Sequence, residues 1–337
     1  MNAVCGLDIS RDEVVATLLG EGSKETKLFG VSIQELSKLK LWLKDKKCSN
    51  VVMESTGVYW VPIFASLEES NFKVTLANAR QVKAIPGRKT DQLDSEWLAY
   101  LLRAELIKAS YIPEVRMRDL RSLTRLRARL KQDQTNYKNR VHKILQLCNV
   151  RLAAVLADIF GKSGRLILAA LMNGKNLDEA LDKCPLCVRK KREQIKACIM
   201  GALSRSDLFQ LKLCLEMTDS LEAKIRILDS EIFRLVDKDV VNQISRVPGF
   251  DVVSASVLIA ELGDAKRFAG EKQVGAYAGL VPSVRQSGRR RWMGGITKHG
   301  SKWLRRTLVQ CALACIKVKD SRFRLFYLRI IVLNKTN

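Results

Sequence analysis

Two carboxylates, Asp91 and Asp94, stand one helical turn apart in the stretch RKTDQLDSEWLAYLLR, Arg88 to Arg103. Acids in a first helical turn stabilise free N–H groups and the helix dipole, so an N-cap at Thr90 or Asp91 is one account of them. Two further acids sit in settings that favour chemistry. Asp8 lies inside the apolar run AVCGLDI, where a charge is costly unless it is used, and Glu54 closes the run VVME just before Ser-Thr-Gly. A twisted sheet can gather carboxylates from three such segments at one edge. Four close carboxylates repel one another, divalent cations relieve the repulsion, and hard oxygen ligands select Mg2+ or Mn2+ over zinc. Such ions activate a nucleophile and stabilise the leaving oxygen at a phosphodiester.

The elements that must position these acids read as alternating strands and helices. Ala3 to Ile9 and Glu13 to Leu19 are short runs rich in branched residues around a plausible hairpin turn, and a third strand is expected around Lys27 to Val31. IQELSKLKLWLKDK has helical spacing through Leu36, Leu39 and Leu43. Asn50 to Ser55 and Phe72 to Ala77 are further strands, and Asp91 and Asp94 open the last helix. The order predicts a mixed α/β sheet domain over residues 1–110.

Charge separates this domain from the rest. The chain has 337 residues, 59 Lys+Arg against 35 Asp+Glu, a formal charge of +24 and 47% hydrophobic residues. Length predicts more than one domain, and the basic balance predicts a polyanionic partner, nucleic acid first. From Lys272 to Lys319 there are eleven basic residues and no acidic one, and from Glu114 to Arg151 eleven basic against three acidic. No apolar run reaches membrane-spanning length, no basic leader precedes an apolar stretch, and nine scattered cysteines fit a reducing compartment. These features predict a cytoplasmic, nucleoid-associated protein with no membrane partner.

Asp8 in GLDIS, Glu54 in MESTGVYW and the pair in KTDQLD resemble the four acids of the DEDD transposases of bacterial insertion sequences. The contexts agree as well, in the Ser-Thr-Gly after Glu54 and the Arg-Lys-Thr before Asp91. The resemblance implies a first domain with the fold of the junction nuclease RuvC, within the ribonuclease-H-like group. It also implies that Asp8, Glu54, Asp91 and Asp94 are catalytic metal ligands rather than a helix cap alone.

The middle, residues 111–240, reads as helix. Leu123, Leu126, Leu130, Asp133, Tyr137, Val141, Ile144 and Cys148 follow a three-four spacing, and Leu221, Ile225, Leu228, Ile232 and Leu235 repeat it. The pattern alone fits two helices packed within one chain as well as a dimer seam. The resemblance implies a coiled coil that helps assemble a homo-oligomer, a dimer or tetramer. Arg121, Arg125 and Arg129 belong to an arginine-rich face expected to contact phosphates. Residues 161–207 are expected to be helical, without an evident function. Cys184 and Cys187 in CPLC lack two further ligands for zinc and a βαβ setting for redox chemistry, so ordinary thiols are expected. His142 and His299 are too isolated for metal ligands.

Residues 241–337 are expected to be mainly helical. Arg246 to Asp264 contains a Pro-Gly turn before an apolar helix, similar to a helix-hairpin-helix whose turn amides bind phosphate, although Asp251 stands where a second glycine is usual. GAYAGLVPSVRQSGRRRWMGGITKHGSKWLRRTL, Gly275 to Leu308, resembles the same family's C-terminal transposase domain through Gly-Leu-Val-Pro, Ser-Gly, Ile-x-Lys-x-Gly and the arginines downstream. The resemblance makes Ser287 the nucleophile, with Ser283 and Ser301 as nearby competitors. On chemistry alone, a serine on a glycine-flexible loop among Arg285, Arg289, Arg290 and Arg291 could approach a phosphodiester, but simple phosphate binding is the favoured account without the resemblance. Lys298 and Arg305 extend this basic surface.

The resemblance covers roughly residues 3 to 325, and the chain stops short after IIVLNKTN. It implies a DNA transposase or recombinase that cuts and rejoins strands through a phosphoserine linkage, guided by a noncoding bridge RNA that pairs with element-end and target DNA. Two other activities fit the residues: a RuvC-like junction nuclease that uses only the acids, and a non-catalytic nucleic-acid-binding remnant.

Overall fold

A computed structural model describes residues 3–55, 57–79, 82, 94–199, 201, 203–288 and 290–335. The chain divides into two compact units, Met1–Ile112 and Pro113–Asn337. Asp91 and Arg289 lie outside the described residues.

The first unit is a five-stranded mixed sheet with helices on both faces. Its strands are β1 (Val4–Ile9), β2 (Glu13–Leu19), β3 (Lys24–Gly30), β4 (Asn50–Glu54) and β5 (Lys73–Ala77), in the order β3-β2-β1-β4-β5. The first three pair antiparallel, whereas β1 with β4 and β4 with β5 are parallel. β3 begins at Lys24, ahead of the expected Lys27. It is an edge strand with mostly exposed side chains, so its first half has no apolar signal.

Alternation along the strands assigns each face its helices. Cys5, Leu7, Val51 and Met53 join one core with α1 (Ile33–Asp45) and α2 (Trp60–Glu69), where Leu36, Leu39, Leu43, Ile63 and Leu67 are buried. Full burial of each such side chain contributes about 1.5–3 kcal/mol. Ser32 caps α1 by accepting from the Glu35 amide at 3.2 Å. The alternate residues, Val4, Gly6 and Asp8 on β1 and Val52 and Glu54 on β4, face the other way. There α3 (Asp94–Arg103) packs Leu98, Ala99 and Leu101 against the sheet.

The second unit is mainly helical. α4 (Val115–Leu147) and α5 (Arg205–Leu235) run antiparallel, as their cross-links show: Arg116 donates to the Leu235 carbonyl, Arg127 pairs with Asp229, and Gln134 donates to the Thr218 carbonyl. Short helices between Leu152 and Cys198 pack beside them. The α4 seam differs from the expected one. Leu120, Thr124, Gln134, Val141 and Leu145 are buried, whereas Leu126 and Asp133 are exposed. The polar seam residues are satisfied in two ways: the Gln134 amide reaches the backbone of α5, and the Thr124 hydroxyl donates to the Arg121 carbonyl one turn back on its own helix. On α5 the expected Leu221, Ile225 and Ile232 are buried, joined by Leu211, Leu215 and Thr218.

Beyond α5 come α6 (Lys238–Ser245), α7 (Val252–Leu262) and α8 (Glu271–Tyr277), then β6 (Pro282–Ser287) and β7 (Arg290–Ile296), α9 (Lys302–Cys315) and α10 (Arg322–Lys335). β6 and β7 form an antiparallel hairpin where a loop was expected. All nine cysteines are free thiols.

Candidate active site and nucleic-acid interface

Asp8 and Glu54 each lie one residue beyond the last registered pair of their parallel strands, Leu7 with Met53. They therefore sit side by side on the face that α3 covers, at a strand spacing of about 4.8 Å. Asp94 is the first residue of α3. The Asp8 carboxyl titrates above the usual carboxylate range because the structure partly desolvates it and because Asp94 and Glu54 add negative charge, while the Ile9 amide works in the opposite direction. Two of the other expected acids, Asp94 and Glu54, thus bear electrostatically on Asp8.

A small-residue junction brings α3 this close. Gly6 is two residues before Asp8 on the same face, and a Cβ there would lie 2.0 Å from the Ser95 carbonyl oxygen and 2.7 Å from the Ala99 nitrogen. Across from Gly6 in register, Thr17 bonds Ser95 side chain to side chain at 2.8 Å, and Thr17 also bonds Thr26 at 3.0 Å. Buried Glu96, two residues into α3, accepts from Lys24 on β3 at 2.6 Å. The first turn of α3 is pinned to the sheet by these contacts, and Asp94 with it.

The donor chemistry of this set suits a hard divalent cation, being oxygen-only and mutually repulsive. Among the described residues no group of three or more acidic, His or Cys side chains converges closely enough to hold a metal ion.

Ser287 ends β6 and faces Arg290 across the hairpin tip. Gly288 takes a φ of +57°, the left-handed region that a tight two-residue connection requires. Register sorts the neighbouring side chains. Ser287 and Arg285 share a face with their cross-strand partners Arg290 and Trp292, while Gln286 and Arg291 share the other. The whole hairpin is exposed. Among the described residues no side chain hydrogen-bonds the Ser287 hydroxyl. The competitors are engaged: Ser283 donates to the Gly295 carbonyl at 3.1 Å, and Ser301 donates to Glu261 at 2.8 Å while capping α9.

The Gly-Leu-Val-Pro and Ile-x-Lys-x-Gly motifs meet at the base of the hairpin. A Cβ at Gly279 would lie 2.1 Å from the His299 carbonyl, and one at Gly300 2.0 Å from the Tyr277 carbonyl. Arg305 donates to the Ala278 carbonyl at 3.0 Å, and Lys298 is exposed beside this junction.

Arg121 and Arg125 stand among the expected phosphate contacts, but the protein uses their donors internally. Arg121 donates to the Ala260 and Glu261 carbonyls at 2.9 and 3.0 Å, and Arg125 grips the Glu261 carboxylate at 2.7 and 2.9 Å. Glu261 is only 1% exposed and ties α4, α7 and the start of α9 together. Arg129 remains exposed, 6.0 Å from the Trp303 ring centroid. The Pro-Gly turn is not an open phosphate cradle either. Asp251 caps α7 with its own carboxylate, accepting from the Ser254 amide at 2.7 Å, and the Pro248 carbonyl accepts from Cys315. Trp292 faces Arg285 across the hairpin and Trp303 lies on α9 near Arg129 and Lys302, and a lone tryptophan carries no periodic signal that would mark either position in the sequence.

A family model described as Transposase, for DEDD transposases of the IS110 type, matches residues 5–150, and one described as Transposase IS116/IS110/IS902 family matches residues 241–328. The transposase for insertion sequence element IS1328 of Yersinia enterocolitica is 40% identical over 78 residues, 23% of each chain. A probable family 20 transposase of Pseudomonas aeruginosa is 27% identical over 81% of this chain and 74% of its own length. The transposase for insertion sequence element IS1111A of Coxiella burnetii is 25% identical over 80% of this chain and 67% of its own. Among solved structures, T. thermophilus RuvC in complex with Holliday junction substrate aligns over 33% of this chain and 100% of that one, with 12% identity and a TM-score of 0.25.

Proposed function

Because this chain belongs to the IS116/IS110/IS902 family of transposases, we propose that it is a DNA recombinase that moves its insertion sequence by cutting and rejoining strands through Ser287. Residues 1–110 supply the acidic site, 111–240 the assembly helices of a homo-oligomer, and 241–337 the nucleophile. Asp8, Glu54, Asp91 and Asp94 would hold Mg2+ or Mn2+, which supplies Lewis-acid stabilisation of charge at the scissile phosphate when bound. Element-end and target DNA are the substrates, selected by pairing with a bridge RNA.

The chemistry balances without a high-energy cofactor. The Ser287 oxygen attacks phosphorus and gives up its proton, a P–O bond of the phosphodiester breaks, and the released strand end takes a proton. A phosphoserine ester keeps the energy of the broken bond, and a hydroxyl end from a second strand reverses the step. Arg285 and Arg290 share the Ser287 face and offer donors to the phosphate as its charge grows.

The observation that carries this proposal is the placement of Asp8 and Glu54 side by side at the ends of neighbouring parallel strands, on the face covered by the helix that Asp94 begins. Strand cleavage with element-end DNA, its RNA and Mg2+ tests it. Asp8→Asn should abolish cleavage and leave DNA binding intact, as should excess chelator. Normal cleavage by that variant, or in chelator, contradicts the acidic site.

A further inference from the structure

The two most basic stretches of the sequence meet at a cavity that the proposed chemistry does not use. It measures about 270 Å³ and lies within the second unit, between α4, α7 and α9. Lys131 comes from the first basic stretch and Arg306 from the acid-free second one, and both line it. Val253 and Val257 of α7 give it an apolar wall, and Trp303 and Gln310 of α9 complete the opposite side. Arg125 and Arg127 also reach the cavity, but they are paired with Glu261 and Asp229. Lys131 donates to the Gln134 amide oxygen at 2.7 Å and lies within electrostatic reach of Glu222, with which it forms no salt bridge. Arg306 is exposed and has no acidic partner among the described residues.

We propose that this cavity receives one unpaired nucleotide of a bound nucleic acid, with its base against Trp303 and the valines and its phosphates on Lys131 and Arg306. The proposal rests on the reading of the chain as acting on nucleic acid.

The dimensions and chemistry fit this ligand better than its rivals. The volume falls just below the roughly 300–1,000 Å³ of ordinary small-molecule clefts, which suits a single nucleoside. A free phosphate would not need a half-buried indole and two valines. An apolar ligand would not need Lys131 and Arg306, neither of which forms a salt bridge among the described residues, and the one carboxylate in the lining, Asp251, is engaged by the Ser254 amide as the cap of α7. Trp303 is flanked by Arg129, 6.0 Å from the ring centroid, and by Lys302 at 5.2 Å. A strand leaving the cavity on either side therefore meets further positive charge. Stacking of a base on an aromatic side chain tolerates any sequence, so the site would grip a splayed-out nucleotide without selecting its identity. Gln310 is placed to form hydrogen bonds with a base edge or sugar.

Photocrosslinking tests this directly. The full chain is mixed with single-stranded oligodeoxythymidylate or oligouridylate carrying 5-iodouracil and irradiated, and the crosslinked peptide is sequenced. The adduct should map to Trp303 with one or both probes, and the probe that gives it identifies DNA or RNA as the source of the nucleotide. Trp303→Ala should bind the single strand about tenfold more weakly, as expected when one base no longer stacks. The same variant should bind a blunt duplex within about twofold of wild type, because paired bases stay in the stack. Trp303→Phe should restore most single-strand binding, which a purely structural tryptophan would not require. The proposal is overturned if the adduct maps elsewhere, if Trp303→Ala binds single strands like wild type, or if the unaltered protein binds neither probe. If Trp303→Ala does not fold, the crosslink in the unaltered protein decides. A chain that crosslinks at Trp303 yet never forms a serine–DNA ester would overturn the proposed recombination and leave this site standing.

Discussion

Gly6 lies so close to Ser95 that a single added methyl group would sit 2.0 Å from the Ser95 carbonyl oxygen. The obstruction is backbone on both sides, since the Ala99 nitrogen is the next atom met at 2.7 Å, so no side chain can swing away to relieve it. A strand that carries Asp8 two residues further on is thereby fixed against a helix that begins at Asp94. Gly6→Ala should destabilise the protein by about 3 kcal/mol, as overpacking of a close junction does. It should also lower metal-dependent cleavage more than Thr17→Val, which removes the hydroxyl hydrogen bonds and keeps the spacing. Urea denaturation and a cleavage assay on both variants check this, and an undisturbed Gly6→Ala protein would show that the junction does not set the position of Asp94.

Asp8 gives a prediction in pH. Desolvation, then Asp94 and then Glu54 raise its carboxyl above the usual range, so the fold favours the protonated form. Below the unfolded pKa of about 3.9 the group is protonated in both states and its contribution to stability is fully present. As pH rises through the higher folded value, the folded state must carry an unwelcome charge and that contribution is lost. Asp8→Asn is free of this loss. The difference in Tm between variant and wild type, measured without metal, should therefore grow in favour of the variant across this acidic window and then stay level to neutral pH. At neutral pH, Mg2+ should raise the Tm of the wild type and leave that of Asp8→Asn unchanged. A variant less stable than wild type throughout would mean that Asp8 is not held against Glu54 and Asp94.

Much of this site was legible in the sequence because charges inside apolar strands are rare and strand periodicity is simple. The alternation Val4, Gly6, Asp8 already places the acid on one face, and Val52 with Glu54 repeats it on the neighbouring strand. The interhelical seam was harder to read. Thr124, Gln134 and Thr218 occupy buried positions, and their hydrogen-bond partners, which make that burial tolerable, belong to a distant part of the chain or to a preceding turn. The hairpin around Ser287 was missed because it is exposed on both faces and shows no apolar alternation, leaving Ser-Gly as its one local sign. The inward use of Arg121 and Arg125 follows from Glu261, more than a hundred residues away, which no local pattern connects to them.

The hairpin register predicts an asymmetry among its arginines. Arg285 and Arg290 share the face of Ser287, whereas Arg291 points with Gln286 to the other. On duplex DNA, every phosphate that a cationic side chain neutralises adds about 0.9 to the steepness of log affinity against log salt. Arg285→Ala and Arg290→Ala should each flatten the slope by that amount, and Arg291→Ala should change it less. Equal effects from all three would mean that both faces of the hairpin meet DNA.

The central claim is that Ser287 becomes covalently joined to DNA, and one trapping measurement addresses it. Incubation of the protein with element-end DNA, its RNA and Mg2+, followed by denaturation, should leave a protein–DNA adduct whose crosslinked peptide contains Ser287. Ser287→Ala should lose the adduct and recombination together while binding DNA as before, because the hydroxyl adds little to affinity beside Arg285 and Arg290. If Ser287→Ala cuts at the normal rate and no adduct survives denaturation, the strand is broken by water at the acidic site, and the account of Ser287 as the nucleophile is wrong.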